Sequence, residues 1–291
     1  MRSHRPTPEF PAHLEALYRK FPFDRSLAQD PLSRVRPVAV DRRHAEVAGI
    51  FAATLAVGNT ASIQRAFSEL LRRAGGDLTT VVDRMVRPGA DPAFGGFVHR
   101  WIRGEHLSFL AYRLHEIGST EGSLEAVFAR GAAGPDGFAG GLDALATALR
   151  GPSNARGAPR PPRGYVRLFP TPLGPTHSPC KRMALFVRWM VRSNYPDLGV
   201  WTGVDPATLR IPLDHHVYWI AYHLGLTQRR TRNWAAVEEV TAALRAVDSA
   251  DPIKYDFVLC HTGVSGDCPK ERDLAVCGPC VVRPDCRLWR G

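Results

Sequence analysis

Apolar side chains recur three and four residues apart along most of this chain, and no segment alternates convincingly between apolar and polar residues. Such spacing is typical of helices that bury one face, whereas a half-buried strand has a period of two. Residues 45–55 are apolar on every face, which predicts a buried helix with Asp41 as its N-cap. The sequence therefore predicts an all-α fold. Further helices are predicted at 13–20, 62–73, 78–85, 97–102, 105–117, 123–128, 141–149, 179–192, 217–224, 233–247 and 252–260.

The segment 150–177 differs from the rest of the chain, because its prolines and glycines exclude a helix. Its arginines have no acidic neighbours to compensate them, and they are Arg150, Arg156, Arg160, Arg163 and Arg167. Two interpretations remain open. The segment is either a loop or linker, or a row of positive charge that follows a phosphate backbone.

The charge of the whole chain also favours a polyanionic partner. Its formal net charge is +10, with 38 lysines and arginines against 28 aspartates and glutamates. Each phosphate that a basic surface neutralises releases counterions. The alternative is that arginine merely replaces lysine on solvated faces. No apolar run is long enough to span a bilayer, and no apolar stretch follows the N-terminus, so we expect a cytoplasmic protein without a membrane partner.

Four of the six cysteines lie in the stretch Cys268–Cys286, where Cys277 and Cys280 form a close pair. Two intervening residues let both sulfurs of such a pair turn toward one centre. Disulfides are not expected in a cytosolic protein, and zinc sites usually contain two close pairs. We expect a [4Fe–4S] cluster, which needs four thiolates and accepts uneven spacing, with zinc as the alternative. Cys180 and Cys260 stand apart and are expected to be buried structural thiols.

Ser178 and Pro179 are typical of an N-cap and a first helical residue, and they predict the helix at 179–192. This helix is apolar on nearly all sides, and its polar stripe consists of Lys181, Arg188 and Arg192. Arg182 lies beside Lys181 in the first turn. Two cations there oppose the helix dipole, at a cost of up to about 1 kcal/mol. We favour a bound phosphate that offsets this cost; the alternative is that both side chains extend into water.

Asp214 follows an apolar Ile-Pro-Leu run and precedes the helix predicted at 217–224. Its simplest role is the N-cap of that helix, worth about 1 kcal/mol. The alternative is a desolvated carboxylate that takes part in chemistry. A metal site of Asp214 with nearby histidines is not expected, because helical spacing divides the histidines between faces. These are His215, His216 and His223.

Three features together resemble the endonuclease III family, within the helix-hairpin-helix superfamily of base-excision DNA glycosylases. They are the buried helix with Lys181 at its start, the segment Ile211–Val217 and the cysteine tail. That family carries its catalytic aspartate in a short Val-Asp-Thr-His-like segment, which matches at Asp214. Its cluster ends in Cys-x2-Cys-x5-Cys, as this chain does. Residues 180–192 and 251–257 are also similar to a divergent bacterial branch of conserved hypothetical proteins.

The resemblance implies two helical lobes and a C-terminal cluster loop. Residues 45–200 would form a helical-barrel lobe with a hairpin-like element near 171–192. Residues 1–44 and 201–291 would form the second lobe. Its loop would bind the iron–sulfur cluster through Cys268, Cys277, Cys280 and Cys286. The implied partner is damaged double-stranded DNA, bound by a monomer.

The activity implied is flipping of a damaged base into a pocket and cleavage of its N-glycosidic bond. Asp214 would stabilise the sugar and orient a water, or deprotonate Lys181 if that amine is the nucleophile. Asn59 would lie near the loop that inserts into the DNA strand. The implied DNA-contacting residues are Arg182, Asn59, Arg188, Lys270 and Arg272.

The chain also departs from the family pattern. The hairpin, normally Gly-x-Gly, keeps one glycine, and strict alignment on Ala184 puts Arg182 rather than Lys181 at the lyase lysine. The first cysteine spacing is eight rather than six. These departures weaken phosphate binding by the hairpin and lyase activity. Two other functions stay open: a non-catalytic nucleic-acid-binding iron–sulfur protein in which Asp214 only caps a helix, and a nuclease on the same scaffold.

Overall fold

The computed structural model describes residues 4–152, 157–175 and 177–290. Helix accounts for 57% of these residues and strand for 1%, which confirms the predicted all-α class. The α-helices in these ranges are α1 (Phe10–Arg19), α2 (Phe23–Ala28), α3 (Leu32–Val35), α4 (Arg42–Leu55), α5 (Thr60–Arg73), α6 (Leu78–Arg84), α7 (Gly104–Thr120), α8 (Leu124–Ala132), α9 (Gly137–Arg150), α10 (Lys181–Val191), α11 (His215–His223), α12 (Trp234–Arg245), α13 (Asp256–Val264), α14 (Leu274–Cys277) and α15 (Arg287–Arg290).

Several of these helices begin at a polar residue whose side chain closes the first turn. Asp41 accepts a hydrogen bond from the His44 amide at 2.8 Å, which confirms the predicted N-cap of α4. Asn233 accepts one from the Ala236 amide at 3.0 Å, ahead of α12. Such caps satisfy amides that have no partner within the helix. These helix starts therefore follow from a few neighbouring residues.

The helix predicted at 97–102 is wrong. This segment forms a hairpin of two short antiparallel strands, β1 (Val98–His99) and β2 (Ile102–Arg103). In its register Val98 pairs with Arg103 and His99 with Ile102. A short apolar run is compatible with either structure, so its length alone does not decide between them.

Two residues explain why the hairpin replaces a helix. Arg100 has φ +57°, in the left-handed region that an α-helix excludes. His99 is buried, and its Nε2 lies 3.0 Å from the carbonyl oxygens of both Leu55 and Val57. This contact gives a partner to carbonyl groups at the end of α4, which have none within the helix.

The start of α10 also differs from the prediction. The helix begins at Lys181 rather than Pro179, because Cys180 has φ +48° and cannot belong to a helical turn. The side chain of Ser178 accepts a hydrogen bond from the Cys180 amide at 3.2 Å and so closes a tight turn instead. Similarly, α13 begins at Asp256, later than the predicted 252.

The chain divides into two compact units. Unit 1 comprises Met1–Ser26, His177–Lys181 and Pro206–Gly291, and unit 2 comprises Leu27–Thr176 and Arg182–Asp205. The predicted lobes, 45–200 and 1–44 with 201–291, stay a prediction, since compactness alone does not give either unit a glycosylase fold.

Unit 2 has a core of large aromatic side chains around α8 and α10. Trp201 is 2% exposed and packs edge-on against Phe186, with 5.5 Å between the ring centroids. The buried carboxylate of Glu46 accepts a hydrogen bond from Trp201 Nε1 at 2.8 Å. Burial raises the pKa of Glu46, although this bond and two backbone amides oppose the shift.

A buried carboxylate in unit 1, that of Asp285, links its first helix to the cysteine-rich segment. Asp285 is fully buried and accepts hydrogen bonds from the Thr7 amide at 2.7 Å and from the Thr7 hydroxyl at 2.8 Å. His13 Nδ1 lies 2.7 Å from its other oxygen. A buried carboxylate needs such partners. They tie the segment around α1 to the residue just before Cys286.

Within the described ranges no helix is both long and apolar enough to cross a bilayer. Among the arginines singled out between 150 and 167, Arg156 lies outside the described residues, as do the first three residues of the chain.

Candidate functional site

Asp214 occupies the N-cap of α11 in unit 1. Its Oδ1 accepts a hydrogen bond from the Val217 amide at 2.8 Å, as the simplest reading of the sequence predicts. The preceding Ile211 and Leu213 are fully buried, and Asp214 itself is 8% exposed. Because capping uses only Oδ1, the second oxygen of this nearly buried carboxylate remains directed at other groups.

Lys181, also in unit 1, faces that second oxygen. Its Nζ lies 3.7 Å from Asp214 Oδ2, and the lysine side chain is 34% exposed. The structure therefore brings together the two residues that the sequence analysis names as catalytic. A pair at this distance in a partly exposed setting is a loose ion pair, whose amine can change partners at little cost.

The turn ahead of Lys181 is held in an unusual backbone conformation. His177 has φ +43° and Cys180 has φ +48°, both in the left-handed region that favours glycine. The carbonyl oxygen of His177 accepts a hydrogen bond from the Trp234 amide at 2.8 Å, which ties the turn to the start of α12. Strain of this kind persists where the surroundings fix it, and it is frequent at functional sites.

Cys260 is a site residue that the sequence analysis missed. Its Sγ lies 3.6 Å from Asp214 Oδ2, so the thiol and Lys181 approach the same oxygen. The approach depends on close packing of α11 against α13, where a Cβ added to Gly263 would lie 2.6 Å from the Cβ of His216. No sequence signal links residues 46 positions apart. Both isolated cysteines were predicted to be buried. Cys180 is buried, whereas Cys260 is only partly buried.

Lys181 and Arg182 have different partners, and it is Lys181 that approaches Asp214. In unit 2 the Arg182 guanidinium donates to the carbonyl oxygens of Thr54, Arg167 and Leu168, at 3.2, 3.2 and 2.8 Å. Arg182 thus binds backbone carbonyls, where the prediction has it contact DNA. A guanidinium is also permanently charged and cannot replace an amine as nucleophile.

The prediction that Arg188 contacts DNA is corrected by its burial. Arg188 is 2% exposed, and its guanidinium donates twice to Asp197 Oδ1, at 2.8 and 3.1 Å. Arg192 donates to the other oxygen of Asp197 at 2.5 Å. Both arginines hold together the interior of unit 2. Of the predicted polar stripe, Arg188 and Arg192 are therefore buried in an ion pair, whereas Lys181 is partly exposed.

The remaining predicted DNA contacts are exposed. Asn59 caps α5 by accepting a hydrogen bond from the Ser62 amide at 2.8 Å. Lys270 lies in the loop after Cys268, and the Arg272 guanidinium stacks 4.7 Å from the centroid of the Trp289 ring. Their role in binding DNA stays a prediction.

Basic side chains gather beside Asp214 on unit 1. Burial lowers the pKa of His215, and the positive charges of Lys270, His216 and Arg232 lower it further, while Asp214 opposes the shift. Lys270 and Arg232 are exposed. We call His215, His216, Arg232 and Lys270 the basic rim. Of these, only Lys270 was a predicted DNA contact; Arg232 carries no sequence signal beyond its charge.

The four clustered cysteines line one cavity of unit 1 and carry free thiols. Burial raises the pKa of Cys268 to about 12, and repulsion from the thiolates of Cys286, Cys280 and Cys277 adds to the shift. Burial also raises the pKa of Cys280 and of Cys286. The other residues lining this cysteine cavity are Ile220, His223, Leu224, Asp267, Pro269, Val282, Arg283, Leu288 and Trp289.

The cysteines of this cavity are of the residue type that both zinc ions and iron–sulfur clusters use as ligands. Among the described residues no three His, Cys, Asp or Glu side chains are placed to hold one metal ion. Zinc would require sulfurs within about 4 Å of one another, since each Zn–S bond is about 2.3 Å. An iron–sulfur cluster takes each thiolate on a separate iron, so it accepts a wider ring of sulfurs.

The sequence matches the family described as "Protein of unknown function (DUF2400)" over residues 30–265. The chain belongs to the DUF2400 family. No curated protein and no solved structure matches it significantly.

The DUF2400 match includes Lys181, Asp214 and Cys260, and ends before Cys268. The Asp214 site thus lies within the region that defines the family, whereas the cysteine cavity is completed by residues beyond it. Its wall at Ile220, His223 and Leu224 is still within the matched region.

Proposed function

We propose that this DUF2400 protein is a DNA glycosylase of the helix-hairpin-helix type, which flips a damaged base and cleaves its N-glycosidic bond. The observation that carries the proposal is the position of Asp214, whose Oδ2 faces Lys181 at 3.7 Å beside the basic rim. A nearly buried carboxylate with one oxygen that the helix cap does not use is suited to stabilising the positive charge that develops on a sugar. Within the rim, Arg232 and Lys270 supply positive charge for the phosphates on either side of a flipped nucleotide.

The chemistry assigned to Asp214 is the activation of water. A water held by Oδ2 gives a proton to the carboxylate while its oxygen forms a bond to C1′ of the sugar. The C1′–N bond breaks, and the base leaves with the electron pair and takes up a proton from solvent. In the transition state the negative carboxylate stabilises the oxocarbenium-like sugar.

Lys181 has two roles to be distinguished. It either orients Asp214 electrostatically, or it attacks C1′ as an amine after giving its proton to Asp214. Borohydride trapping separates them, because only the second route forms a Schiff base with the sugar. An adduct that disappears in Lys181→Arg assigns the amine as nucleophile, and base release without any adduct assigns the electrostatic role.

The proposal is tested with duplexes that each carry one damaged base. Purified protein should release at least one of these bases and leave an abasic site that alkali converts into a strand break. Binding without release from any duplex would favour the second candidate, a non-catalytic nucleic-acid-binding protein. That candidate is supported by the use of Asp214 Oδ1 as a helix cap, a role that needs no chemistry.

We also infer that Cys268, Cys277, Cys280 and Cys286 hold a [4Fe–4S] cluster. When bound, the cluster would cross-link the C-terminal loop and hold it against the end of α11, and it would be able to accept an electron. The support is the shared cavity and the chemistry of the donors. Zinc is the alternative.

Replacing Cys280 by alanine is expected to remove most of the bound iron and the broad visible absorbance of the cluster, because one of four thiolates is lost. Iron and acid-labile sulfide analysis checks this. Cys180→Ala is the matched control, since Cys180 is buried outside the cavity. Equal iron in both variants would contradict the ligand assignment, and stoichiometric zinc in the wild type would replace the cluster.

A further inference from the structure

His223 is the last residue of α11 and lines the cysteine cavity. It is 7% exposed, and its Nε2 is a buried atom with no hydrogen-bond partner among the described residues. Buried polar atoms are nearly always paired, and an unpaired one in a native structure calls for a ligand or a functional reason. His223 itself lines a cavity whose other lining residues include the four cysteines.

We propose that His223 donates a hydrogen bond from Nε2 to a sulfur atom of the centre held by the four cysteines, and that this bond raises the reduction potential of that centre. The inference rests on the iron–sulfur centre proposed above. It assigns His223, which the expected metal ligands leave out, as a positioning and tuning residue.

The imidazole is held in place by its neighbours on the same helix. Its ring stacks on Trp219, with 5.9 Å between the centroids and 27° between the planes. Ile220 and Leu224 flank it on the cavity wall. Stacking restricts the ring to one orientation, so the direction of the Nε2 atom is set by packing before any ligand arrives.

Few polar acceptors compete with sulfur in this cavity. Val282, Leu288 and Trp289 contribute apolar surface. The one carboxylate of the lining, Asp267, belongs to an exposed residue and already accepts a hydrogen bond from the Ser265 hydroxyl at 2.6 Å. A neutral imidazole carries its hydrogen on either nitrogen, and a sulfur acceptor selects the tautomer protonated at Nε2.

The expected effect follows from charge. Reduction adds an electron that is shared with the sulfur atoms, so a hydrogen bond to sulfur stabilises the reduced form more than the oxidised form. Losing the donor therefore makes the potential more negative. The hydrogen bond does not require His223 to bind iron.

The test compares His223→Phe, which keeps a ring for the Trp219 stack, with His223→Gln, which keeps an N–H donor. Reduction potentials are measured by direct electrochemistry on the full chain, together with iron content. We expect a more negative potential in His223→Phe, an intermediate one in His223→Gln, and no change in His115→Phe, which alters a histidine of α7 outside the cavity. Unchanged potentials in variants with full iron would overturn the inference.

A second measurement begins with the unaltered protein, whose spectrum can overturn the inference even if a variant does not fold. Wild type labelled with ¹⁵N-histidine is reduced with dithionite, and electron–nuclear double resonance is recorded. A ¹⁵N coupling that disappears in His223→Gln supports the hydrogen bond, and its absence overturns it while the cluster stands. Wild type that contains no iron, or only zinc, overturns the proposed centre and this inference together.

Discussion

Replacing Asp214 by asparagine is expected to slow base release at least about 100-fold, because the substitution removes the charged oxygen that activates water. Asparagine is as good an N-cap as aspartate, so the hydrogen bond from the Val217 amide is kept. The variant should therefore keep its helical content and its affinity for DNA. Single-turnover release of a substrate base, measured beside binding of the same duplex, separates the two properties.

The matched control for this substitution is Asp41→Asn. Asp41 caps α4 through the His44 amide in the same way, but it is exposed and belongs to unit 2. We expect its activity to equal that of the wild type. If Asp214→Asn released bases as fast as Asp41→Asn, Asp214 would be only a cap and the glycosylase mechanism would be abandoned.

The largest effect on stability is expected from Asp197→Ala. Asp197 is 4% exposed and accepts hydrogen bonds from both Arg188 and Arg192, which are themselves buried. Truncation leaves two buried guanidinium groups without this carboxylate, and breaking a buried ion pair typically costs about 3–5 kcal/mol. The free energy of unfolding, measured by urea denaturation, should fall by that amount.

An exposed ion pair of unit 2 provides the comparison. Asp83 pairs with Arg43, and both side chains are at least half exposed. Asp83→Ala is expected to cost about 0–1 kcal/mol, because solvent screens such pairs. Similar losses in the two variants would show that the Arg188 pair is hydrated and contributes no more than a surface pair.

Sequence reasoning predicts helix starts well here because each depends on residues within one turn. Asp41 and Asp214 are both found as caps for this reason. It fails at 97–102, where the outcome depends on a contact of His99 with the end of α4, more than 40 residues away. The predicted start of α10 is also wrong, because Cys180 has a left-handed backbone conformation that its residue type does not predict.

The candidate site was likewise predictable only in part. The cysteine spacing predicts four thiols at one site, and the resemblance pairs Lys181 with Asp214. Both expectations concern segments with a recognisable sequence pattern. Cys260 reaches Asp214 only because α13 packs closely on α11. Arg188 is predicted to contact DNA, since the sequence does not show that its guanidinium pairs with the buried Asp197. Tertiary packing decides both cases.

Helix α11 begins after Asp214 and ends at His223. The capping carboxylate and the wall of the cysteine cavity therefore lie at opposite ends of one helix. Nine residues of α-helix span about 13 Å, and a helix this short moves as a rigid body. If the proposed cluster occupies the cavity, removing it is expected to displace the carboxylate as well. Loss of activity on chelation would then be a mechanical result, and it would not mark the metal centre as the catalyst.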